Sequence, residues 1–381
     1  MHSLAFEPPP LALYIHIPWC VKKCPYCDFN SHTQGDQLPE QAYIQALLRD
    51  FQQHLPQIKG RMIGSIFIGG GTPSLFSGTA FNTLLTQISQ HIALAPNLEI
   101  TLEANPGTLE HGRFTEYRQA GINRLSLGVQ SFNATHLLAL GRIHGPNEAL
   151  TAVQEIDAAG FDNFNLDLMY ALPHQSVSQA LDDLEQALAL NPTHLSWYQL
   201  TLEPNTAFYR APPVLPDEDC REDIADAGQA LLAARGYYQY EVSAYAPQQS
   251  CQHNRNYWEF GDYLGIGAGA HSKITQPNQI IRSTKIRHPK RYLQASDSYV
   301  ADSQPIPATH LPFEFMLNAL RLKQGCSSTL FTERTYLPFT KIEGTLAKAL
   351  DQGLIYPFTE RLVTTPKGWQ FLNNVTSLFL P

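Results

Sequence analysis

Three cysteines near the start of the chain constrain it more than any other feature. Cys20, Cys24 and Cys27 have C-x3-C-x2-C spacing on one short loop. Three thiolates this close can bind three irons of a cubane iron–sulfur cluster and leave the fourth iron without a protein ligand. The loop therefore predicts a cluster with one open iron, since a purely electron-carrying cluster usually has four cysteines.

A partial zinc site and a chance grouping are the alternatives for this loop. Structural zinc usually takes four ligands, and no second Cys/His pair follows at zinc-finger spacing, although His32 offers a fourth ligand. The other cysteines are scattered, and we expect them to be ordinary thiols: Cys220, Cys251 and Cys326.

The loop resembles the C-x3-C-x-aromatic-C signature of the radical S-adenosylmethionine (SAM) superfamily, with Tyr26 as the aromatic residue. In that superfamily the amino and carboxylate groups of the methionine part of SAM chelate the free iron. The resemblance implies a [4Fe-4S] cluster on Cys20, Cys24 and Cys27 with SAM on the open iron. It points to reductive cleavage to a deoxyadenosyl radical, and leaves open whether SAM is cleaved in this chain.

Composition excludes several other classes of protein. The chain has 381 residues, enough for a barrel plus an appended domain. Its formal net charge of −8 argues against a nucleic-acid surface as the main purpose. No apolar run reaches the roughly 18 residues of a membrane span. Six cysteines, three of them in one loop, indicate metal chemistry in a reducing cytoplasm.

Short apolar runs alternate with longer amphipathic stretches over the first half of the chain. Strands are predicted at residues 11–17, 63–68, 98–104, 124–129, 163–169 and 194–200, and helices at 40–55, 81–92 and 147–159. Six β-then-α units in a row indicate parallel strands with right-handed crossovers. They fit an open doubly wound α/β sheet or an incomplete barrel, and the resemblance favours an incomplete (β/α)6 radical SAM barrel. In either fold we expect functional residues at the carboxyl ends of the strands.

A glycine run, Gly69-Gly70-Gly71-Thr72-Pro73, follows the second predicted strand. Glycines let a backbone approach a ligand closely, and we expect Thr72 to N-cap the next helix with Pro73 at its first position. A simple strand-to-helix turn is the plain alternative. After a radical SAM cysteine loop, the run resembles the SAM-binding glycine motif of the superfamily, which contacts the methionine amino group through backbone carbonyls.

Polar side chains recur at the following strand ends. Glu103 closes the third strand, Gln130 ends the fourth, Arg142 follows it, and Asp167 lies in the fifth. They resemble the positions used for SAM in the coproporphyrinogen oxidase-like branch of the superfamily, and the resemblance extends to about residue 275. It assigns these residues to the bound cofactors: Tyr14, Tyr26, Gly69, Gly70, Gly71, Thr72, Glu103, Gln130, Arg142 and Asp167.

Two families of that branch compete. The oxygen-independent coproporphyrinogen III dehydrogenase decarboxylates propionate side chains. It has a further cysteine two positions after the third and a long N-terminal extension. Here that position is Phe29, and only about ten residues precede the first predicted strand. Both differences argue against coproporphyrinogen oxidase activity, which stays the alternative.

The second family is favoured by a hexapeptide. His253-Asn254-Arg255-Asn256-Tyr257-Trp258 matches the H-N-x-x-Y-W motif of HemW-type heme chaperones at every fixed position. A neutral imidazole is a natural ligand for heme iron, and aromatic rings suit a flat macrocycle. A surface histidine beside a structural Tyr-Trp pair is the plain alternative. The resemblance implies heme bound by His253, Tyr257 and Trp258, with His253 as iron ligand. It also implies transfer to an acceptor protein, for example a membrane-associated respiratory enzyme.

The composition shifts after Pro212-Pro213. A glycine-rich run at residues 261–269 suggests backbone packed against a ligand or the barrel rim. We predict a partial barrel at residues 1–245, a connecting segment with the heme motif and this glycine run at 246–304, and a C-terminal domain at 305–381. The C-terminal domain is expected to be small, mainly α and winged-helix-like.

Overall fold

One large sheet organises most of the chain in the computed structural model, which describes residues 6–35, 37–108, 112–248 and 250–381. The strands are, in chain order, β1 (Leu11–Ile17), β2 (Trp19–Cys20), β3 (His32–Thr33), β4 (Met62–Gly70), β5 (Ala93–Ala104), β6 (Arg124–Gln130), β7 (Phe164–Tyr170), β8 (His194–Gln199), β9 (Tyr238–Glu241), β10 (Ala244–Ala246), β11 (Asp262–Ile266), β12 (His271–Gln276), β13 (Gln279–Lys285), β14 (Val300–Pro305), β15 (Cys326–Ser327) and β16 (Arg361–Leu362).

Helices connect these strands and form the C-terminal part. They are α1 (Glu40–Ile58), α2 (Gly78–His91), α3 (Arg113–Gln119), α4 (Ala134–Ala139), α5 (Pro146–Ala158), α6 (Val177–Ala189), α7 (Ala207–Arg210), α8 (Glu218–Ala234), α9 (Gln252–Trp258), α10 (Pro289–Gln294), α11 (Leu311–Ala319), α12 (Thr329–Thr335), α13 (Thr340–Asp351), α14 (Pro366–Gln370) and α15 (Leu372–Ser377). No helix of the described ranges is long and apolar enough to cross a membrane.

The centre of the sheet is parallel. Strands β1, β4, β5, β6, β7 and β8 lie side by side in chain order and pair in parallel. Such strands are covered on both faces, which is why they are almost continuously apolar, as in β1. The described strands end at β14 on one side and β9 on the other, so the sheet is open. The predicted incomplete α/β barrel is confirmed.

The glycine-rich run contains a strand that the sequence did not predict. β11 pairs in parallel with the free edge of β1, and β12, β13 and β14 extend the sheet in antiparallel order. A Cβ on Gly265 would lie 2.1 Å from the carbonyl oxygen of His271. The glycine is therefore required by close packing of backbone on backbone. Much of the predicted connecting segment thus belongs to the main sheet.

The C-terminal residues have their own core and are mainly helical, as predicted. α11, α12, α13 and α15 pack around apolar side chains that include Phe315, Phe331, Ile342 and Leu346. β15 and β16 add a short antiparallel pair. Phe260, from the segment before β11, joins the same core. The C-terminal helices are therefore anchored on the sheet, and their winged-helix-like arrangement stays a prediction.

A buried carboxylate ties α1 to the extended side of the sheet. Asp50 Oδ1 lies 2.5 Å from Lys285 Nζ, and both side chains are 0% exposed. Asp50 Oδ2 accepts hydrogen bonds from the Tyr292 hydroxyl at 2.6 Å and from the Gly267 amide at 3.2 Å. Both oxygens of the buried charge therefore have partners, which a buried ion pair requires.

Removing the cation from this cluster should destabilise the fold. We expect Lys285→Met to lower the free energy of unfolding by about 3–5 kcal/mol, because Asp50 stays buried after losing the cation that offsets its desolvation. Asp50→Asn with Lys285→Met should recover part of that loss, since both charges are gone. Urea unfolding of the cofactor-free protein measures both. The control, Lys59→Met on the surface, should change stability by less than about 0.5 kcal/mol, and an equally small effect of Lys285→Met would contradict the prediction.

Candidate functional site

The cysteine loop follows β1 and is held by backbone hydrogen bonds. Cys20 belongs to β2, which pairs in parallel with β3, and the Cys27 amide donates to the Cys24 carbonyl oxygen at 3.2 Å. All three cysteines are free and partly buried. Together with Tyr26 they line one cavity of about 360 Å³, the cysteine cavity. The structure therefore brings the three predicted metal ligands together.

The carboxyl ends of the parallel strands form much of the wall of the cysteine cavity. Parallel strands end on one edge, so polar residues from distant parts of the sequence converge there. The predicted residues Gly70, Gly71, Thr72, Glu103, Gln130, Arg142 and Asp167 all line it.

The glycine run and Glu103 are in direct contact. Glu103 Oε2 accepts a hydrogen bond from the Gly70 amide at 2.9 Å, and Gly70 has a φ of +116°. A Cβ on Gly69 would lie 2.9 Å from the same oxygen, and one on Gly71 would lie 2.5 Å from the carbonyl oxygen of Trp19. A side chain at any of the three positions would therefore clash with a neighbouring atom or strain the backbone.

Two half-buried carboxyl groups face the cavity. Burial raises the pKa of Glu103 to about 7; the Gly70 amide opposes this rise and the charge of Asp167 adds to it. Burial also raises the pKa of Asp167, although hydrogen bonds from Ser126 and Asn165, both at 2.9 Å, lower it. Carboxyl groups in such a wall suit a ligand that brings a positive charge or hydroxyl donors.

Arg142 places a positive charge beside the cysteine loop. Its Nη1 lies 3.7 Å from Cys24 Sγ, and its Nη2 donates to the Gly128 carbonyl oxygen at 2.5 Å. Gln130 has a φ of +71° and accepts a hydrogen bond from the Tyr198 hydroxyl at 2.9 Å. A guanidinium next to a thiolate lowers the electrostatic cost of collecting several negative sulfurs in one loop.

The donor set fits an iron–sulfur cluster better than a single ion. Burial raises the pKa values of Cys20 and Cys27, and the neighbouring cysteines raise them further. Metal binding must therefore displace protons from these thiols. Nowhere in the described ranges do three or more His, Cys, Asp or Glu side chains converge on one metal position. Thiolates that bind different irons of a cubane need not converge in that way.

Thr72 and Pro73 occupy the predicted N-cap and first positions, but the element they begin is not the expected helix. Pro73–Leu75 is a single 3₁₀ turn, and Thr72 makes no side-chain capping bond to it. The next long helix, α2, is capped by Ser77, whose hydroxyl accepts from the Ala80 amide at 3.2 Å. The glycine run therefore leads into one turn and not directly into the expected helix.

The heme motif forms α9, and its histidine lies inside the protein. His253 is 1% exposed. Its Nδ1 is 3.0 Å from the Ser65 hydroxyl and its Nε2 is 3.0 Å from the Tyr257 hydroxyl. Burial lowers the pKa of His253 to about 3, with a further contribution from Arg124. The ring is neutral, as an iron ligand must be, but both nitrogens are engaged. Ligation by His253, which stays a prediction, requires the ring to leave at least one partner.

The two aromatic residues of the motif line different cavities. Trp258 lines the cysteine cavity, with the guanidinium of Arg321 4.3 Å from its ring centroid. Tyr257 lines a second cavity of about 660 Å³, and so does Tyr14. The structure thus does not bring Tyr14, His253 or Tyr257 to the cysteine cavity. Phe29 lines both cavities.

Several residues of the cysteine cavity were not singled out from the sequence. Ser196 and Tyr198 come from β8 and point to the same side of the strand; the position of Tyr198 near the end of a predicted strand was a usable signal. Glu241 and Arg321 form an ion pair at 3.5 Å. Arg321 follows α11, and no pattern in the sequence connects the C-terminal helices to the cysteines.

Two family models match the chain. The model of the radical SAM superfamily matches residues 14–187, and that of the HemN C-terminal domain matches residues 306–371. The solved structure of coproporphyrinogen III oxidase (HemN) from Escherichia coli superposes with a TM-score of 0.82 over 99% of this chain and 91% of that chain, at 23% sequence identity. That likeness shows the fold.

Proteins named heme chaperone HemW match almost the full length of the chain. The HemW of Escherichia coli is 51% identical over 374 residues, with 98% of each chain covered. The HemW of Haemophilus influenzae is 50% identical over 378 residues, again with 98% of each covered. The HemW of Mycobacterium tuberculosis is 33% identical over 374 residues, with 94% of this chain and 92% of that protein covered.

The half-buried carboxyl of Glu103 should make the cofactor-free protein less stable as the pH rises. Its pKa is raised from the ordinary 4.5 to about 7. The folded chain therefore binds more protons than the unfolded chain between these values, and the free energy of unfolding falls as the pH rises through them. At about 1.4 kcal/mol for each pKa unit, the loss is roughly 3 kcal/mol.

Glu103→Gln should remove this loss. The stability of the variant relative to the wild type is expected to increase by roughly 3 kcal/mol from pH 4 to pH 8. Urea unfolding at the two pH values measures the difference. Glu360→Gln, on the surface, is the matched control, and a stability difference for Glu103→Gln that does not change with pH would refute the prediction.

Proposed function

The chain belongs to the HemW family of heme chaperones within the radical SAM superfamily, and we infer that it binds heme and transfers it to an acceptor protein while carrying a [4Fe-4S] cluster coordinated by SAM. The observation that carries this inference is the near full-length likeness to relatives named heme chaperone. It includes the cysteine loop, the heme motif and the C-terminal helices together.

We propose that Cys20, Cys24 and Cys27 each bind one iron of the cluster, which leaves the fourth iron for SAM. Support comes from their common cavity and from Arg142 beside Cys24. When bound, a cluster of this kind supplies one-electron reductive chemistry to SAM.

The strand ends are proposed to bind and orient SAM. Gly70 and Gly71 line the cysteine cavity, and neighbouring atoms leave no room for a side chain at Gly69, Gly70 or Gly71. The carboxyl groups of Glu103 and Asp167 suit the amino group and the ribose hydroxyls. Further contacts are proposed for Tyr26, Thr72, Gln130 and Arg142, which line the same cavity.

The residues of the heme motif, His253, Tyr257 and Trp258, are proposed to serve the heme function. Their helix α9 contacts both cavities, with Tyr257 on one and Trp258 on the other. Tyr14 shares the second cavity with Tyr257, so we propose that it serves the ligand of that cavity.

We further propose that the protein works in the reducing cytoplasm and that its acceptor is a heme protein such as a membrane-associated respiratory enzyme. The first proposal is supported by the cysteines, all of which are free thiols. Thiolates that bind iron must escape oxidation to disulfides, which a reducing compartment ensures.

The cluster assignment predicts the iron content of cysteine variants. After anaerobic reconstitution the protein should contain close to four irons per chain. Cys20→Ala, Cys24→Ala and Cys27→Ala should each abolish the cubane, whereas Cys220→Ala, the matched control, should retain it. Iron analysis with EPR of the reduced protein measures this. Full iron content in the three loop variants would rule out the assignment.

The SAM assignment makes a separate prediction. Saturating SAM should change the EPR signal of the reduced cluster, because its amino and carboxylate groups bind the open iron. Glu103→Ala and Asp167→Ala should weaken this response without loss of iron, since they remove contacts to SAM and leave the cysteines intact. A reduced cluster whose signal is the same with and without SAM would contradict a radical SAM site.

The chaperone function predicts saturable heme binding without decarboxylation. Hemin titration of the reconstituted protein should give a saturating Soret band, and circular dichroism should show that the fold is kept. Under anaerobic conditions with SAM and a reductant, coproporphyrinogen III should remain unconverted, because Phe29 replaces the additional cysteine of the dehydrogenase. Absence of heme binding together with efficient decarboxylation would favour the alternative function.

A further inference from the structure

The second cavity lies beside the cysteine loop and is large enough for a porphyrin-sized ligand. Its volume of about 660 Å³ falls within the roughly 300–1,000 Å³ of small-molecule sites. One wall is the end of the cysteine loop, residues 28–30. The other walls include Tyr14 and His16 from β1, Tyr257 from α9, and Tyr263 from β11. The cavity is thus built from the sheet, the heme motif and the loop that carries the cysteines.

Aromatic rings offer faces for a flat ligand. Tyr257 and Tyr263 meet edge to face with ring centroids 4.7 Å apart. Phe29 lines the same cavity and is 63% exposed. A large aromatic ring this exposed gains contact when a flat, largely apolar ligand covers it. This combination suits a macrocycle.

One imidazole of this cavity is free to bind a metal. His16 Nδ1 is 2.9 Å from the Tyr14 hydroxyl and His16 Nε2 is 3.0 Å from the Asn30 carbonyl oxygen. His253, behind Tyr257, is likewise engaged at both nitrogens. His271, the first residue of β12, is exposed and lines the cavity. Within the part of the chain that the structure describes, its ring makes no hydrogen bond.

The cavity also presents one cation. Arg287 is exposed, and no carboxylate of the described residues pairs with it. Its carbonyl oxygen accepts a hydrogen bond from Asn30 Nδ2 at 2.8 Å, so its backbone is fixed against the cysteine loop. Asp28 is the carboxylate of the lining. A ligand with carboxylates would therefore turn them towards Arg287 and away from Asp28.

We propose that the second cavity is the heme site, with the iron bound by the imidazole of His271 and a propionate paired with Arg287. This inference rests on the proposed function, because it locates the heme that the chaperone carries. His253 then acts as a positioning residue: its hydrogen bond fixes the hydroxyl of Tyr257, whose ring contacts the macrocycle. In this proposal His271 takes the place of His253, the iron ligand that the family resemblance implies, and the heme motif supports the site through Tyr257.

The iron ligand is tested by hemin titration of the full-length protein carrying its cluster. His271→Ala should raise the Kd at least about tenfold and shift the Soret band, because an axial ligand is lost. His310→Ala, at an exposed position just before α11, should keep the Kd within about twofold of the wild type and leave the Soret band unshifted. His253→Ala should weaken binding without changing the ferric heme EPR spectrum. Iron content and circular dichroism show that each variant is folded.

A second variant tests the iron ligand by a change of spectrum and not by a loss of heme affinity. His271→Cys should convert the Soret and EPR spectra to those of a thiolate-bound heme, since cysteine is itself a heme ligand. If His271→Ala retains the wild-type Soret band and affinity, or if only His253→Ala changes the ligation spectrum, His271 is not the ligand. The proposed function survives that result, whereas a wild-type protein that binds no heme overturns both proposals.

The propionate contact is tested with a ligand pair. The wild type should bind hemin at least fivefold more tightly than hemin dimethyl ester, because the ester has no charge to pair with Arg287. Arg287→Ala should lose most of this discrimination, and Arg291→Ala, exposed on α10, should keep it. Equal discrimination in Arg287→Ala and the wild type would refute the assignment of Arg287.

Discussion

The buried carboxylate of Asp50 determines where two distant parts of the chain meet. It projects from α1 and binds Lys285 of β13, the Tyr292 hydroxyl of α10 and the Gly267 amide after β11. A charge with no solvent exposure is tolerated only when every oxygen has a partner. The pairing therefore fixes the turn after β11 relative to α1. Tyr43, also on α1, adds a second contact to that turn, since its hydroxyl accepts from the Ala268 amide at 2.8 Å.

The turn after β11 also holds the cysteine loop in place. A Cβ on Gly267 would lie 2.3 Å from the carbonyl oxygen of His16, and one on Gly269 would lie 2.3 Å from Asn30 Nδ2. Asn30 donates to the carbonyl oxygens of Ala268 and Arg287 at 2.9 and 2.8 Å. The loop that starts with the metal ligands is thus fastened at its far end by residues from the extended side of the sheet. The cysteine cavity and the second cavity share this loop as a wall.

The sequence predicted the features of the fold and the site that depend on a local pattern of residues. β1 was placed at its observed bounds because a strand covered on both faces is an uninterrupted apolar run. The polar residues at strand ends converge as expected because parallel strands finish on one edge. β11 was missed because glycines needed for backbone contacts obscure its apolar character. Thr72 has the predicted N-cap position, but it begins a 3₁₀ turn, and Ser77 caps α2 instead. No local sequence pattern indicates that Phe29 lines both cavities or that Arg321 lies beside the cysteine cavity.

The heme motif gains meaning from where its side chains lie. On the short helix α9, His253 contacts Ser65 of β4, Tyr257 lines the second cavity and Trp258 lines the cysteine cavity. Trp258 also packs under Arg321, which pairs with Glu241. A ligand in either cavity would therefore contact α9. The C-terminal part of the chain contacts the same helix through Arg321. A fixed His–Tyr pair on that helix explains why the motif spaces histidine and tyrosine by four residues, one helical turn apart.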